Sequence, residues 1–189
     1  MRWDVARELD RAHGLPRSSV FETLYRTGTW EAIERGRGDR GAWLEAAHRL
    51  LEERAGRALP GLHQEWRAAQ GPIEANLHLV RELCGAFKLG ILSNADSSLR
   101  ERLKTDGIHD LFDDIVCSAE VGMAKPEAAI FVLSAERLDL EPGECVFVDD
   151  LDANVEAARQ VGMQGLLFRV DKGDDLRAQL AGLGVTSRP

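Results

Sequence analysis

Hydrophobic positions recur at helical spacing through the first 71 residues, and nothing there alternates like a strand. In "RWDVARELDRAHGLP", Val5, Leu9 and Ala12 share one helical face, with Gly14 and Pro16 closing the helix. "SSVFETLYRTG" opens on serines suited to an N-cap and is expected to stop at Gly28. A short helix is predicted at "TWEAIERG". "RGAWLEAAHRLLEERAG" sets Trp43, Ala47, Leu50, Leu51 and Arg54 at helical spacing, and "LHQEWRAAQ" predicts one further short helix.

After "GPIEA" the pattern changes. Leu77, Val80, Leu83 and Cys84 predict a helix, and from there short apolar runs alternate with helical ones. "KLGILSN", "DIVCS", "CVFVD" and "GLLFRV" predict strands. "SSLRERLKTDG", "KPEAAIFVLSAERLDL", "DANVEAARQVG" and "GDDLRAQLAGLG" predict helices. Pro126 is placed near the first turn of its helix, where proline is tolerated. Asp152 is expected to cap the next helix and Gly162 to close it. Such alternation implies right-handed crossovers and a mostly parallel sheet covered by helices on both faces. The expected architecture is therefore α/β and Rossmann-like, with residues 1–71 forming a separate all-helical domain and residues 72–189 the α/β core.

Ligands of such sheets sit at the carboxyl ends of the strands. "GILSN" ends in Ser93 and Asn94, the loop after "DIVCS" leads to Lys125, and "CVFVDD" ends in Asp149 and Asp150. Taken singly, each has a plain structural reading. Ser93 and Asn94 suit a helix-capping turn, Lys125 a surface lysine, and the two aspartates a loop at a helix N-terminus. Taken together, a hydroxyl, an ammonium and two carboxylates on one rim suit phosphoryl transfer assisted by Mg²⁺. An adjacent acid pair is tolerable beside a divalent cation, which takes one or two carboxylates plus phosphate and water.

Composition narrows the partners. The net charge of −8 disfavours nucleic acid and anionic membrane surfaces. No apolar run approaches the roughly 20 residues of a membrane span, and no secretory signal opens the chain, so a cytoplasmic location is the expectation. Cys84, Cys117 and Cys145 are in no metal-ligand spacing and read as small buried hydrophobes.

In this order and spacing, "ILSNAD", "VGMAKPEAAIF" and "VFVDDLDANVEAARQVGM" resemble the haloacid dehalogenase superfamily, over residues 72–170. The helical first part resembles the cap that many members insert after their first strand. That cap usually closes over the site and selects the leaving group. The acid pair followed by Asn154 looks most like phosphatase-type members. The resemblance implies that Ser93 bonds the phosphoryl group, with Asn94 helping through its backbone, and that Lys125 steadies nucleophile and phosphate. It also implies that Asp150 is the direct Mg²⁺ ligand with Asp149 beside it, and that Asn154 orients the loop. The substrate class implied is a small phosphorylated metabolite.

One departure is large. The family's first motif is a strand ending in two aspartates one residue apart, the first of which forms an aspartyl-phosphate. Asp4 follows no apolar strand and Asp10 lies within a predicted helix, so neither supplies it. A start set too late, a truncated chain and a true loss of the nucleophile all account for this. The intact remaining motifs favour the first two. The absent strand belongs between those ending at Ser93 and Asp149. Its absence predicts either a gap or a distorted rim, an open sheet prone to self-association, and a chain inactive by itself. Two other functions remain as alternatives: a non-catalytic Mg²⁺- or phosphate-binding regulatory protein, and a haloacid dehalogenase proper. The acid pair argues against the second, since halide displacement needs no metal.

Overall fold

The computed structural model describes residues 3–186. Contacts divide the chain into a helical unit, residues 1–71, and an α/β unit, residues 72–189. Arg2, at the start of the first helical run, lies outside the described residues, as do residues 187–189.

The helical unit holds α1 (Trp3–Ala12), α2 (Ser19–Tyr25), α3 (Gly28–Ile33), α4 (Arg40–Ala55) and α5 (Leu62–Ala68). Trp43, Leu51, Leu62 and Trp66 are buried with Leu24 in its centre. The Trp43 indole N–H is satisfied there, donating to the Leu24 carbonyl at 2.9 Å. Leu50 is only half-buried and Arg54 exposed, so the inner face of α4 is Trp43, Ala47 and Leu51.

Several expectations for this unit need correction. The inner face of α1 is Ala6, Leu9 and Asp10, while Ala12 is exposed. Helix α2 ends at Tyr25, and Gly28 opens α3 instead of closing α2. The serine cap does not form: Ser18 has a φ of 71° and its side chain makes no capping bond. Asp10, buried at 2% exposure, takes the role from a distance, its Oδ1 accepting the Val20 N–H at 3.0 Å. A carboxylate at a helix start satisfies an orphan amide and the helix dipole together. Its burial nevertheless raises the Asp10 pKa, against the lowering effect of the α2 amides.

The α/β unit runs α6 (Glu74–Leu83), β1 (Gly90–Ser93), α7 (Leu99–Thr105), β2 (Asp114–Cys117), α8 (Ser118–Val121) and α9 (Ala128–Arg137). It continues with β3 (Val146–Asp149), α10 (Asp152–Gln160), β4 (Gln164–Leu167) and α11 (Leu176–Gly182). Side chains alternate along the strands, as the pleat requires. Ile91, Ile115 and Cys117 pack with Leu99 and Leu103 of α7. Leu92, Val116 and Phe147 pack with Ile130 and Phe131 of α9 and Ala158 of α10. Val146, Val148 and Leu166 pack with Leu79 and Leu83 of α6 and Leu180 of α11. Helices thus cover both faces of a Rossmann-like α/β fold.

The parallel strands show the gap expected from the missing first strand. The strands form two separate parallel ladders, β1 with β2 and β3 with β4. Ser93 lies opposite Cys117 in one, and Asp149 opposite Leu167 in the other. Among the described residues no backbone ladder joins β1 to β3. Ile91, Leu92 and Ser93 of β1, and Val146, Val148 and Asp149 of β3, are only half-buried, whereas Ile115, Val116 and Cys117 of β2 are buried. Strands central to a parallel sheet are ordinarily the most buried, so this inversion marks an open edge on β1, while β3 has β4 as its one ladder partner among the described residues.

Smaller corrections concern α6, α8, α9 and the cysteines. Leu79, not Val80, joins the buried face of α6, and Cys84 is exposed beyond its end. Cys117 is buried as expected and Cys145 intermediate. Helix α8 directly after β2 was not anticipated. Pro126 precedes α9, whose N-cap is Glu127.

Candidate functional site

The carboxyl ends of β1 and β3 meet at one side chain. Lys125, in the loop between α8 and α9, places its Nζ 2.9 Å from the Leu92 carbonyl of β1 and 2.6 Å from Asp149 Oδ2 of β3. Phe147 lies beneath, its ring centre 5.3 Å from the ammonium. The side chains of Lys125 and Asp149 are only 9 and 7% exposed. A buried charge needs such pairing, and two hydrogen bonds and an aromatic face supply it. The two half-sheets, unjoined through their backbones, are therefore bridged by one cation.

Asp149 is fully engaged. Besides Lys125 on Oδ2, its Oδ1 accepts the Leu151 N–H and the Asn154 side-chain amide, both at 2.9 Å. The expected cap of α10 does not form: Leu151 is the N-cap, Asp152 is the first helical residue, and no side chain caps the helix. Asp149 instead fixes the turn that leads into α10 by accepting the Leu151 N–H. Gly162, with a φ of 99°, follows the end of α10 as expected. Asn154 is buried at 6% exposure and holds Asp149 from the helix side. Asp150 follows at the start of the loop and is half-buried.

The Asn94 side chain is also engaged. Its Nδ2 donates to the Lys125 carbonyl at 2.9 Å and its Oδ1 accepts the Lys125 N–H at 2.8 Å. Ser93, between Leu92 and Asn94, has a half-buried side chain whose hydroxyl bonds to no described residue. Asn94, Lys125, Asp149 and Asn154 thus form one continuous network, with Ser93 and Asp150 adjacent to it in the chain.

Two supporting residues escaped the sequence reading. Asp96, 2% exposed, accepts the Ser98 N–H at 2.9 Å and the Ser98 hydroxyl, and pairs with Arg102 at 3.4 Å. The Asp-x-Ser spacing in "NADSSL" is a legible signal for that turn. Ser118, fully buried, accepts the Ala95 N–H at 3.0 Å, and nothing local in "DIVCS" announces it.

Other nucleophiles are poorly placed. Burial pushes the Cys117 and Cys145 thiols upward in pKa, away from the reactive thiolate. A surface pocket of about 420 Å³ is lined by Cys84, Phe87, Lys88 and Asp113, among others. It precedes β1 and β2, at the opposite strand ends from Ser93. Among the described residues, no group of three or more His, Cys, Asp or Glu side chains is gathered to hold a metal. A Mg²⁺ site needs no such group, since phosphate and water complete its shell. The adjacent carboxylates of Asp149 and Asp150 are hard oxygen donors of the kind it takes.

The sequence model of the haloacid dehalogenase-like hydrolases matches residues 22–162. The chain belongs to this family. Among similar proteins is a glyceraldehyde 3-phosphate phosphatase of Methanopyrus kandleri, 37% identical over 92 residues, covering 48% of this chain and 40% of that protein. A sesquiterpene phosphatase of Aspergillus oryzae is 31% identical over 151 residues, covering 76% of this chain and 74% of that one. The chain spans half or less of the length of several curated relatives it matches. In fold it resembles a mutant family enzyme of Bacteroides thetaiotaomicron solved with magnesium and inorganic phosphate. That likeness has a TM-score of 0.64 at 20% identity and covers 87% of this chain and 91% of that one. No helix among the described residues is long and apolar enough to cross a membrane.

Proposed function

We propose that this chain carries the binding rim of a Mg²⁺-dependent phosphatase of a small phosphorylated metabolite, with residues 1–71 as its cap. The observation that carries the reading is the Lys125 ammonium, held by the Leu92 carbonyl of β1 and Asp149 of β3, with Ser93 next to Leu92 in the chain. In this reading Ser93 and the Asn94 backbone N–H bond the phosphoryl oxygens, and Lys125 neutralises their charge. Asp150 is the direct ligand of Mg²⁺. Asp149, already accepting three hydrogen bonds, holds Lys125 and the α10 start in place and meets the cation through water. Asn154 orients Asp149. The cation would supply further charge neutralisation on the phosphoryl group. Phosphatase-named relatives support the reaction class. A cytoplasmic location belongs to the same reading.

The nucleophilic aspartate is expected on a strand filling the space between β1 and β3, where both ladders leave an edge open. Asp149, bonded to Lys125, Leu151 and Asn154, is not set to attack. That observation favours a second reading, a Mg²⁺- or phosphate-binding protein without turnover. A haloacid dehalogenase proper is disfavoured by the paired acids.

Hydrolysis of a generic aryl phosphate, measured with Mg²⁺, separates these readings. The 189-residue chain is expected to be inactive. A form extended by an apolar strand ending in two aspartates one residue apart is expected to turn over, and to lose activity when the first aspartate becomes asparagine. An ordinary enzymatic rate from the short chain, abolished by Lys125→Ala, would place the nucleophile within these residues. Binding of Mg²⁺ and phosphate by an extended form that never turns over would favour the second reading.

A further inference from the structure

Asn94 turns both ends of its side-chain amide to the backbone of a residue 31 positions away. The orientation of that amide is not ambiguous, because a peptide N–H can only donate and a peptide carbonyl can only accept. Its carbonyl oxygen must face the Lys125 N–H, and its NH₂ must face the Lys125 carbonyl. Two bonds from one planar group to one residue fix both the position and the rotation of that residue about the chain.

Lys125 has particular need of this. It lies in a loop between α8 and α9, outside any helix or strand, yet its ammonium must meet the Leu92 carbonyl and Asp149 together. A lysine side chain has four rotatable bonds and loses much rotamer freedom when pinned. Any shift of its Cα must be taken up by those torsions, at a cost in rotamer energy, if the ammonium is to keep both partners at hydrogen-bond distance. Asn94 immediately follows Ser93 at the end of β1, so the strand that contributes Leu92 also sets the base from which Lys125 reaches back to it.

We infer that Asn94 is a positioning residue: its side-chain amide holds the Lys125 backbone so that the ammonium spans the open gap between β1 and β3. The importance of that position for phosphate rests on the proposed phosphatase reading. The placement itself does not, and it can be read without any turnover.

The experiment observes the lysine ammonium groups of the ¹⁵N-labelled chain by NMR near pH 6. Only four lysines are present, Lys88, Lys104, Lys125 and Lys172, so assignment through Lys125→Met is direct. The expected wild-type result is a Lys125 signal protected from solvent exchange. In Asn94→Ala its exchange should accelerate about tenfold, the loss expected for a hydrogen-bonded anchor. Asn94→Asp keeps the acceptor for the Lys125 N–H but sets a second carboxylate oxygen against the Lys125 carbonyl, and should accelerate exchange by at least several-fold. Backbone amide signals of β2 and β4 report whether each variant is folded. Should Asn94→Ala fail to fold, Asn94→Asp decides. Exchange within about twofold of wild type in the folded variant that decides, or no protected Lys125 signal in the wild type, overturns the inference. Absence of phosphatase activity in an extended form would count against the proposed function and leave this result standing.

Discussion

Lys125 and Asp149 meet at 2.6 Å with side chains 9 and 7% exposed, and each is the other's ionic partner across an unjoined pair of strands. Removing one member of such a pair leaves the other buried and uncompensated. Asp149→Ala should therefore destabilise the protein by about 3–5 kcal/mol, while Lys125→Met with Asp149→Leu together should cost less than the single change. Urea unfolding of the three proteins checks this. A cost for Asp149→Ala below about 1 kcal/mol would mean that solvent already screens the pair.

The division of labour between the paired aspartates gives a second expectation. Asp149 already accepts hydrogen bonds from Lys125, Leu151 and Asn154, so in the proposed reading a hard cation would take its direct carboxylate from Asp150. In a form carrying the first motif, Asp150→Asn should weaken Mg²⁺ binding more than Asp149→Asn. Calorimetric titration of both variants measures the difference. Equal and unchanged affinities would take Asp150 off the ligand set.

The open edges predict a stability deficit. Unpaired strand edges solvate, distort or recruit another chain. Amides of β1 and β3 that do not bond to β2 or β4 should exchange with solvent faster than those within the two ladders. The 189-residue chain should also melt lower than a form with a strand between them, and associate as concentration rises. Hydrogen exchange, thermal melts and sedimentation check these points. A short chain that stays monomeric and melts as high as the long one would contradict the gap.

The sequence made the strand ends legible because they combine an apolar run with an abrupt polar terminus. "GILSN" and "VFVDD" could be placed on one rim without coordinates. The position of Lys125 was legible only jointly, since a lone lysine carries no signal. What was not legible depends on partners distant in sequence. The Asn94 amide turns to a backbone 31 residues away, and Asp10 caps a helix that has its own serines nearby. Local propensity favoured Ser18 as that cap, but its left-handed backbone turns the side chain out of capping position. Asp152 falls one position inside α10, because the turn that Asp149 makes with the Leu151 N–H sets Leu151 as the N-cap.

The helical unit contains a histidine whose burial predicts a pH response. His63 is 1% exposed, and its Nε2 lies 2.8 Å from the Thr23 hydroxyl. That hydroxyl donates to the Ser19 carbonyl at 2.8 Å, so it accepts from Nε2–H, and the neutral imidazole leaves a bare, buried Nδ1. Protonation would add an N–H there with no acceptor. Burial, and then the neighbouring His48 and Arg67, lower the His63 pKa from 6.5 to about 4. The unfolded chain therefore binds the proton more readily than the folded one between these values. Stability should be unaffected by this group above about pH 6.5, fall as pH drops from there toward 4, and fall no further below it. At pH 5 the loss from this group alone is about 2 kcal/mol. Carboxylates titrate near the same range, so the measurement is the difference between wild type and His63→Gln in urea unfolding from pH 7.5 to 4.5. The wild-type advantage at pH 7.5 should shrink steadily with acidification. Parallel curves for the two proteins would show that His63 takes up its proton in the folded state as easily as in the unfolded one.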